Sequence, residues 1–395
     1  MIPQLSIFAA RVADFIAICA ADFSSEHHDN PDFVAHLDAE FNAMALMLFT
    51  LQFDHNSAYR NLCESRKVSP SSASHWSQIP AVPTSAFKEL EISSLPPGKR
   101  THVFYSSGTT AQKPSRHFHN AESLAVYEAS LLAWFRFHVS PEKNLAILTP
   151  PPSAAPNSSL AHMFETIRRN FGAPENSFLG TLGGDGSWTV NFEVATGALE
   201  SACRTGERIV ILGTAFSFVH LLDYLAENNL RFELPRGSRV METGGYKNRS
   251  RVLPKSELHA LITERLGVPP SHILCEYGMS ELSSQAYDTG TGQGRARHSV
   301  RAGVDPESGA QGTAAPDEPR HFHFPPWAYA QIISPETGRA VRDGETGLLR
   351  IVDLANVFSA LAIQTEDMAI RRGSGFELIG RAELAEPRGC SLMTP

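Results

Sequence analysis

The chain has 395 residues, 42% of them hydrophobic and 19% charged, with a formal net charge of −8, enough to bury a large core as one big domain or two intimate ones. An acidic balance without a dense lysine and arginine run excludes nucleic acid as a partner. Five scattered cysteines (Cys19, Cys63, Cys203, Cys275 and Cys390) without CxxC spacing point to reduced cytoplasmic thiols, not to a disulfide frame or a zinc site.

Met1 to Phe23 is apolar in places, but Arg11, Asp14 and Asp22 interrupt it. It reads as an amphipathic helix, neither a signal peptide nor a membrane span. Phe33, Leu37, Phe41, Ala45 and Leu48 recur at helical spacing, so residues 1–78 form a mainly helical lead. Pro80, Pro83, Pro96 and Pro97 then punctuate an irregular approach to a strand from Thr101 to Tyr105.

Directly after it stands Ser106-Ser107-Gly108-Thr109-Thr110-Ala111-Gln112-Lys113-Pro114. The glycine allows a turn whose backbone N–H groups converge on an anion. The hydroxyls of Ser106, Ser107, Thr109 and Thr110 add donors, Lys113 adds a charge, and together they suit a polyphosphate. This is no Walker A loop, which has a glycine before its lysine and a helix after it; here Gln112 precedes and Pro114 follows. By residue types alone, a polar surface turn is an equal reading.

Asn120 caps the next helix, with Leu124, Tyr127, Leu131 and Trp134 on one face. Leu145–Thr149, Arg208–Leu212, Arg239–Thr243 and Ile273–Tyr277 read as short apolar strands. They alternate with helical segments such as Phe218–Asn228 and Glu257–Leu266, the last closed by Gly267. The alternation predicts an α/β core over residues 79–288, where ligands sit beyond the carboxyl ends of the strands. Ser106, Gly244 and Ser280 each follow a predicted strand. Leu212 to Phe218 suits an acyl pocket or plain core packing equally.

Residues 289–320, rich in Gly, Ala, Pro, Arg and Asp, read as a mobile loop with a solvated basic run from Arg295 to Arg301. Residues 321–395 read as a β-rich portion and tail, with turns at Glu336-Thr337-Gly338 and Asp343-Gly344. His321 and His323 alternate with Phe322 and Phe324 as in a strand, without metal-ligand spacing.

After the hydroxyl-rich loop come, in order, Thr243-Gly244-Gly245-Tyr246-Lys247, Glu276-Tyr277-Gly278-Met279-Ser280-Glu281, Gln364-Thr365-Glu366-Asp367 and Ile379-Gly380-Arg381. This order resembles the signature blocks of the adenylate-forming superfamily, which activates carboxylates with ATP. Ile79 to Lys88, Met241 to Arg251, Pro325-Pro326-Trp327, Val352 to Asn356 and Arg388 to Leu392 narrow the resemblance to the acyl-protein synthetase (LuxE-type) family of bacterial luminescence, from about Ile79 to the C-terminus. The resemblance implies an α/β adenylation domain of β-sheets flanked by helices over residues 1–395, with a β-rich C-terminal subdomain. Because the chain ends 14 residues beyond Arg381, the mobile C-terminal lid of the superfamily is expected to be absent.

Glu281 follows a turn after a strand, a good place for a magnesium-binding carboxylate. The resemblance implies the same role, with Ser280, where threonine is usual, on a phosphate. It assigns Gly244, Gly245, Tyr246, Tyr277 and Gly278 to the nucleotide pocket, with Tyr277 as an aromatic wall for adenine. It puts Asp367 on the ribose hydroxyls and Arg381 near ribose and phosphate. Glu366 stands where the wider superfamily usually has glycine, and a glutamate there is familiar in the narrower family. With no lid lysine, Lys113 or a partner subunit would supply the missing charge. Cys390 matches the cysteine that accepts the acyl group and passes it on within a reductase complex; Arg388 would favour its thiolate. The expected cofactors are ATP and Mg2+, and the expected activity is formation of a fatty acyl-adenylate, then transfer to a thiol. Two alternatives stand beside it: a ligase passing the acyl group to coenzyme A, an amine or a carrier protein, and a non-catalytic acyl- or nucleotide-binding subunit.

Overall fold

The structure is a computed structural model and describes residues 2–22, 31–106, 113–140, 142–184, 186–244, 251–289 and 320–381. The helical lead consists of α1 (Pro3–Asp22), α2 (Pro31–His55) and α3 (Ser57–Ser65). By length and composition α1 and α2 could each cross a membrane, more than the interrupting charges suggested. Their apolar faces turn inward: Leu5, Phe8, Val12 and Phe15 of α1 and Phe41, Met44, Leu48 and Phe49 of α2 are buried in the core. α2 ends on two buried amides. Gln52 Nε2 donates to the carbonyls of Asn356 (2.7 Å) and Val357, and Asn56 Nδ2 donates to that of Ser359 at 3.1 Å. Asn56 also caps α3 by accepting from the Tyr59 N–H.

β1 (Val82–Pro83) and α4 (Ala86–Glu89) lead to β2 (His102–Tyr105) and β3 (Arg116–His119), and then to α5 (Ala121–His138), β4 (Leu145–Ile147), α6 (Ser159–Phe171), β5 (Gly180–Leu182), β6 (Trp188–Val190) and α7 (Phe192–Thr205). β7 (Val210–Thr214), α8 (Ala215–Glu227), β8 (Arg239–Thr243), α9 (Lys255–Leu266), β9 (Ile273–Tyr277), β10 (Ala286–Thr289), β11 (His321–His323), β12 (Ala328–Ile333), β13 (Thr346–Asp353), β14 (Ala362–Arg372) and β15 (Gly375–Arg381) follow. Local signals explain the boundaries. Asn120 accepts from the Ser123 N–H to start α5, and Gly267, at φ 67°, closes α9 in the left-handed conformation. Thr214 accepts from the Ser217 N–H, so α8 begins directly at the end of β7, earlier than the periodicity indicated.

One sheet runs in the order β12-β13-β14-β15-β11-β10-β9-β8-β7-β4, with β1 beside β14. β4, β7, β8 and β9 are parallel, whereas β10 to β15 pair antiparallel. Helices cover both faces of the parallel half. Ile147, Leu212 and Met241 pack with α1, α5 and α6 residues; Ala146, Leu148, Ile211, Val240 and Ile273 pack with α7, α8 and α9. β2 and β3 form a separate antiparallel ribbon, so the strand before Ser106 lies outside the main sheet.

The expected loop over 289–320 is shorter at its ends. Thr289 closes β10, and Arg320 Nε donates to Asp288 Oδ2 at 2.7 Å, so Arg320 belongs with the sheet. Residues 290–319, with the run from Arg295 to Arg301, lie outside the described residues.

Candidate active site

The carboxyl ends of β8 and β9 and the turn after β9 carry most of the described candidate residues: Gly244, Tyr277, Gly278, Ser280 and Glu281. β9 ends at Tyr277, and at Gly278 a Cβ would meet Glu276 Oε1, which would have to shift. The Glu276 carboxyl is buried over this turn and accepts from the Thr243 hydroxyl at the end of β8. Burial pushes Glu276 up to about 7. Gly244, at φ 69°, has open space where a side chain would stand, which leaves its backbone accessible.

The turn continues into Ser280 and Glu281, both buried. Ser280 Oγ donates to Glu281 Oε2 at 3.0 Å. The last residue of β13 and a residue just beyond it brace this turn. Asp353 accepts from the Ser283 N–H at 2.9 Å and the Ser284 hydroxyl at 2.7 Å, and burial raises it to about 6. Asn356 Nδ2 donates to the Glu281 carbonyl at 3.0 Å, while its Oδ1 accepts from Ser283 Oγ at 2.6 Å. Among the described residues no three His, Cys, Asp or Glu side chains converge, so Glu281 would offer a cation a single carboxylate beside a hydroxyl. That donor set fits Mg2+, which keeps several waters and takes one or two carboxylates plus substrate phosphates.

Tyr277, Asp367 and Arg381 come together from three strands. The Tyr277 hydroxyl donates to Asp367 Oδ2 at 2.7 Å. Across the β14–β15 ladder, Asp367 faces Arg381, whose Nε lies 3.4 Å from Asp367 Oδ1. The Tyr277 ring, expected as a wall for adenine, packs edge-on against Phe322, Phe324 and Phe376 at centroid distances of 5.7–6.4 Å. An ionised carboxylate has about four lone-pair directions, so Asp367 keeps acceptor capacity beyond these two partners.

The ribbon reaches the same turn by one side chain. His117 of β3 is buried, and burial lowers it to about 4, so the ring is neutral and its Nδ1–H donates to the Ser280 carbonyl at 2.8 Å. At the mouth of the hydroxyl-rich loop, Ser106 Oγ accepts from the Ser115 N–H (2.9 Å) and hydroxyl (3.0 Å), which clasps the loop shut at its base. Lys113 is exposed and pairs with Glu89 at 3.1 Å. Such an exposed pair is weak, which leaves the ammonium available to a stronger anion. Ser107, Gly108, Thr109, Thr110, Gly245, Tyr246, Arg388 and Cys390 lie outside the described residues. His117, Asp353, Asn356 and Glu276 carry roles that sequence reasoning did not assign. The alternation of His117 and His119 with Arg116 and Phe118 was the available signal for His117.

The sequence profile of the family described as acyl-protein synthetase, LuxE, matches residues 35–308. The chain belongs to the acyl-protein synthetase family. It is 24% identical over 366 residues to the long-chain-fatty-acid–luciferin-component ligase of Aliivibrio fischeri, covering 87% of this chain and 85% of that one. The ligase of the same description from Vibrio harveyi is 21% identical over 355 residues, covering 87% and 84%. Among solved structures, 2-hydroxyisobutyryl-CoA ligase with its acyl-AMP bound superposes with a TM-score of 0.57 at 14% identity, covering 87% of this chain and 68% of that one. This acyl-protein synthetase thus has the fold of adenylate-forming enzymes, and it is an enzyme that activates a carboxylic acid for acyl transfer.

Proposed function

We propose that the chain activates a long-chain fatty acid with ATP and Mg2+, releases pyrophosphate, and then passes the acyl group to the thiol of Cys390 and on to a partner protein. The observation that carries this reading is the meeting of Tyr277, Asp367 and Arg381 beside the turn that holds Ser280 and Glu281. Asp367 accepts from the ribose hydroxyls with its remaining lone pairs, and Arg381, 81% exposed beyond its contact with Asp367, turns its other N–H groups toward phosphate oxygens. Held still, the nucleotide meets the acid's carboxylate in line. A carboxylate oxygen forms the new bond to the α-phosphorus as the bond to the bridging oxygen breaks, and the electron pair leaves on pyrophosphate. Glu281 and Ser280 would hold magnesium, which neutralises phosphate charge when bound. Cys63, Cys203 and Cys275, which form no disulfide among the described residues, support a cytoplasmic location.

ATP–pyrophosphate exchange tests the reading. Exchange should require both acid and magnesium, and Glu281→Gln should lower it by roughly 10²-fold, since a carboxylate that anchors transition-state charge is lost without a change of shape. Exchange that proceeds equally in Glu281→Gln removes this residue from the metal.

A further inference from the structure

Within the parallel half of the sheet, the row of side chains facing α5 changes character at the carboxyl ends of the strands. Ile147, Leu212, Met241 and Leu274 pair in register across β4, β7, β8 and β9 and are all apolar. Two residues further along these same chains stand Thr149, Thr214, Thr243 and Glu276, and Tyr287 of β10 extends the row opposite Glu276. All five are buried, none more than 5% exposed. Buried polar groups normally find partners. Thr214 bonds Ser217 and Thr243 bonds Glu276, yet Thr149 Oγ1 and the Tyr287 hydroxyl have no partner among the described residues. Tyr127 of α5 lies close enough to Glu276 for that carboxylate's charge to help raise its phenol. A row of hydroxyls and one acid, unsatisfied at both ends, is poor core and good receptor, and it lies where open sheets bind ligands.

We propose that this row receives a hydroxyl group on the tail of the acid, so that the substrate is a hydroxylated carboxylic acid rather than a plain saturated one; the proposal rests on the acid-activating reading above. A hydroxyl is the group that matches, because it can donate to Glu276 and accept from Tyr287, which stands opposite it, at once. An ammonium matches less well. It would add a full charge to a place whose other members are uncharged and whose one acid is held near neutrality by burial.

The experiment compares ATP–pyrophosphate exchange for plain long-chain acids with equal-length acids hydroxylated at successive positions, in the parent and in Tyr287→Phe. The thermal unfolding midpoint with each acid alone is measured in parallel. At least one hydroxylated acid should exceed its plain counterpart by about 10-fold in kcat/KM, the worth of one net hydrogen bond. Tyr287→Phe should then erase most of that ratio, lowering the hydroxylated acid's value far more than the plain acid's. Plain acids used as well as every hydroxylated one, or a Tyr287→Phe variant that lowers both alike, would overturn the proposal. Thermal stabilisation by a hydroxylated acid that Tyr287→Phe removes, without exchange for any acid, would support the receptor and sink the adenylation reading. Absence of both signals with every acid defeats both.

Discussion

Asp367 and Glu276 are both carboxylates at the site, yet their surroundings give them different work. Asp367 has a hydroxyl donor and a guanidinium beside it and serves them as an acceptor. Its replacement by alanine should raise the KM for ATP and weaken discrimination against 2′-deoxy-ATP, because losing a hydrogen bond to a charged acceptor costs about 1.5–3 kcal/mol. Equal selectivity in Asp367→Ala and parent would separate this residue from the ribose. Glu276, pushed up to about 7 by burial, holds its proton more tightly folded than unfolded. Its contribution to stability is therefore complete below the ordinary carboxylate range and is lost as pH rises toward 7. His117 runs the other way: lowered to about 4, it contributes fully above its ordinary range and loses that contribution as pH falls toward 4. Denaturant titrations at pH 5 and pH 7.5 should show Glu276→Gln gaining on the parent at the higher pH by ~1–3 kcal/mol. A constant difference between the two would mean that Glu276 binds its proton no more tightly in the folded chain than in the unfolded one.

At the scale of elements, the turn after β9 is held from outside itself. Asn356 reaches the Glu281 carbonyl and Ser283, and Gln52 of α2 reaches the Asn356 carbonyl across 304 residues of sequence. Asn356→Ala leaves two buried acceptors and a hydroxyl short of partners, each worth about 1–3 kcal/mol. It should therefore lower the unfolding midpoint and reduce exchange more than it raises the KM for ATP. An undisturbed kcat would show that the turn keeps its shape unaided. These braces also mark where the sequence was readable. Asn120 and Gly267 announced helix ends through local chemistry, and the apolar runs of β8 and β9 announced strands, because those signals act within a few residues. Neither the clamp from Gln52 nor the position of the β2–β3 ribbon outside the sheet was legible, since strand propensity names no partner. His117 looked like an ordinary alternating strand residue for the same reason: its role depends on a carbonyl 163 positions away.

For the whole molecule, the sheet passes from parallel to antiparallel at β9–β10 without a break in its ladder, so strands from both halves deliver Tyr277, Asp367 and Arg381 to one place. The α/β alternation and the later β-rich portion were visible as separate stretches; that they share one sheet depends on pairings of β11 with β10 and β15, which no short-range pattern encodes. The ribbon, by contrast, pairs with no strand of the main sheet and meets its neighbours through links such as the His117 ring on Ser280 and the exchange between Asn157 and β2, where the Tyr105 N–H donates to the Asn157 carbonyl at 2.9 Å and Asn157 Nδ2 donates to the Val103 carbonyl at 2.9 Å. A two-stranded ribbon opens at lower free energy than strands inside a long ladder. Deuterium should accordingly enter the amides of β2 and β3 well before those of β8 and β9, and bound ATP should slow the ribbon selectively if its loop holds the phosphates. Uniform protection of ribbon and sheet would contradict this. The clasp of Ser106 on Ser115 closes the ribbon at that end, so slow exchange in β2 and β3 would be a property of the nucleotide complex and not of the fold.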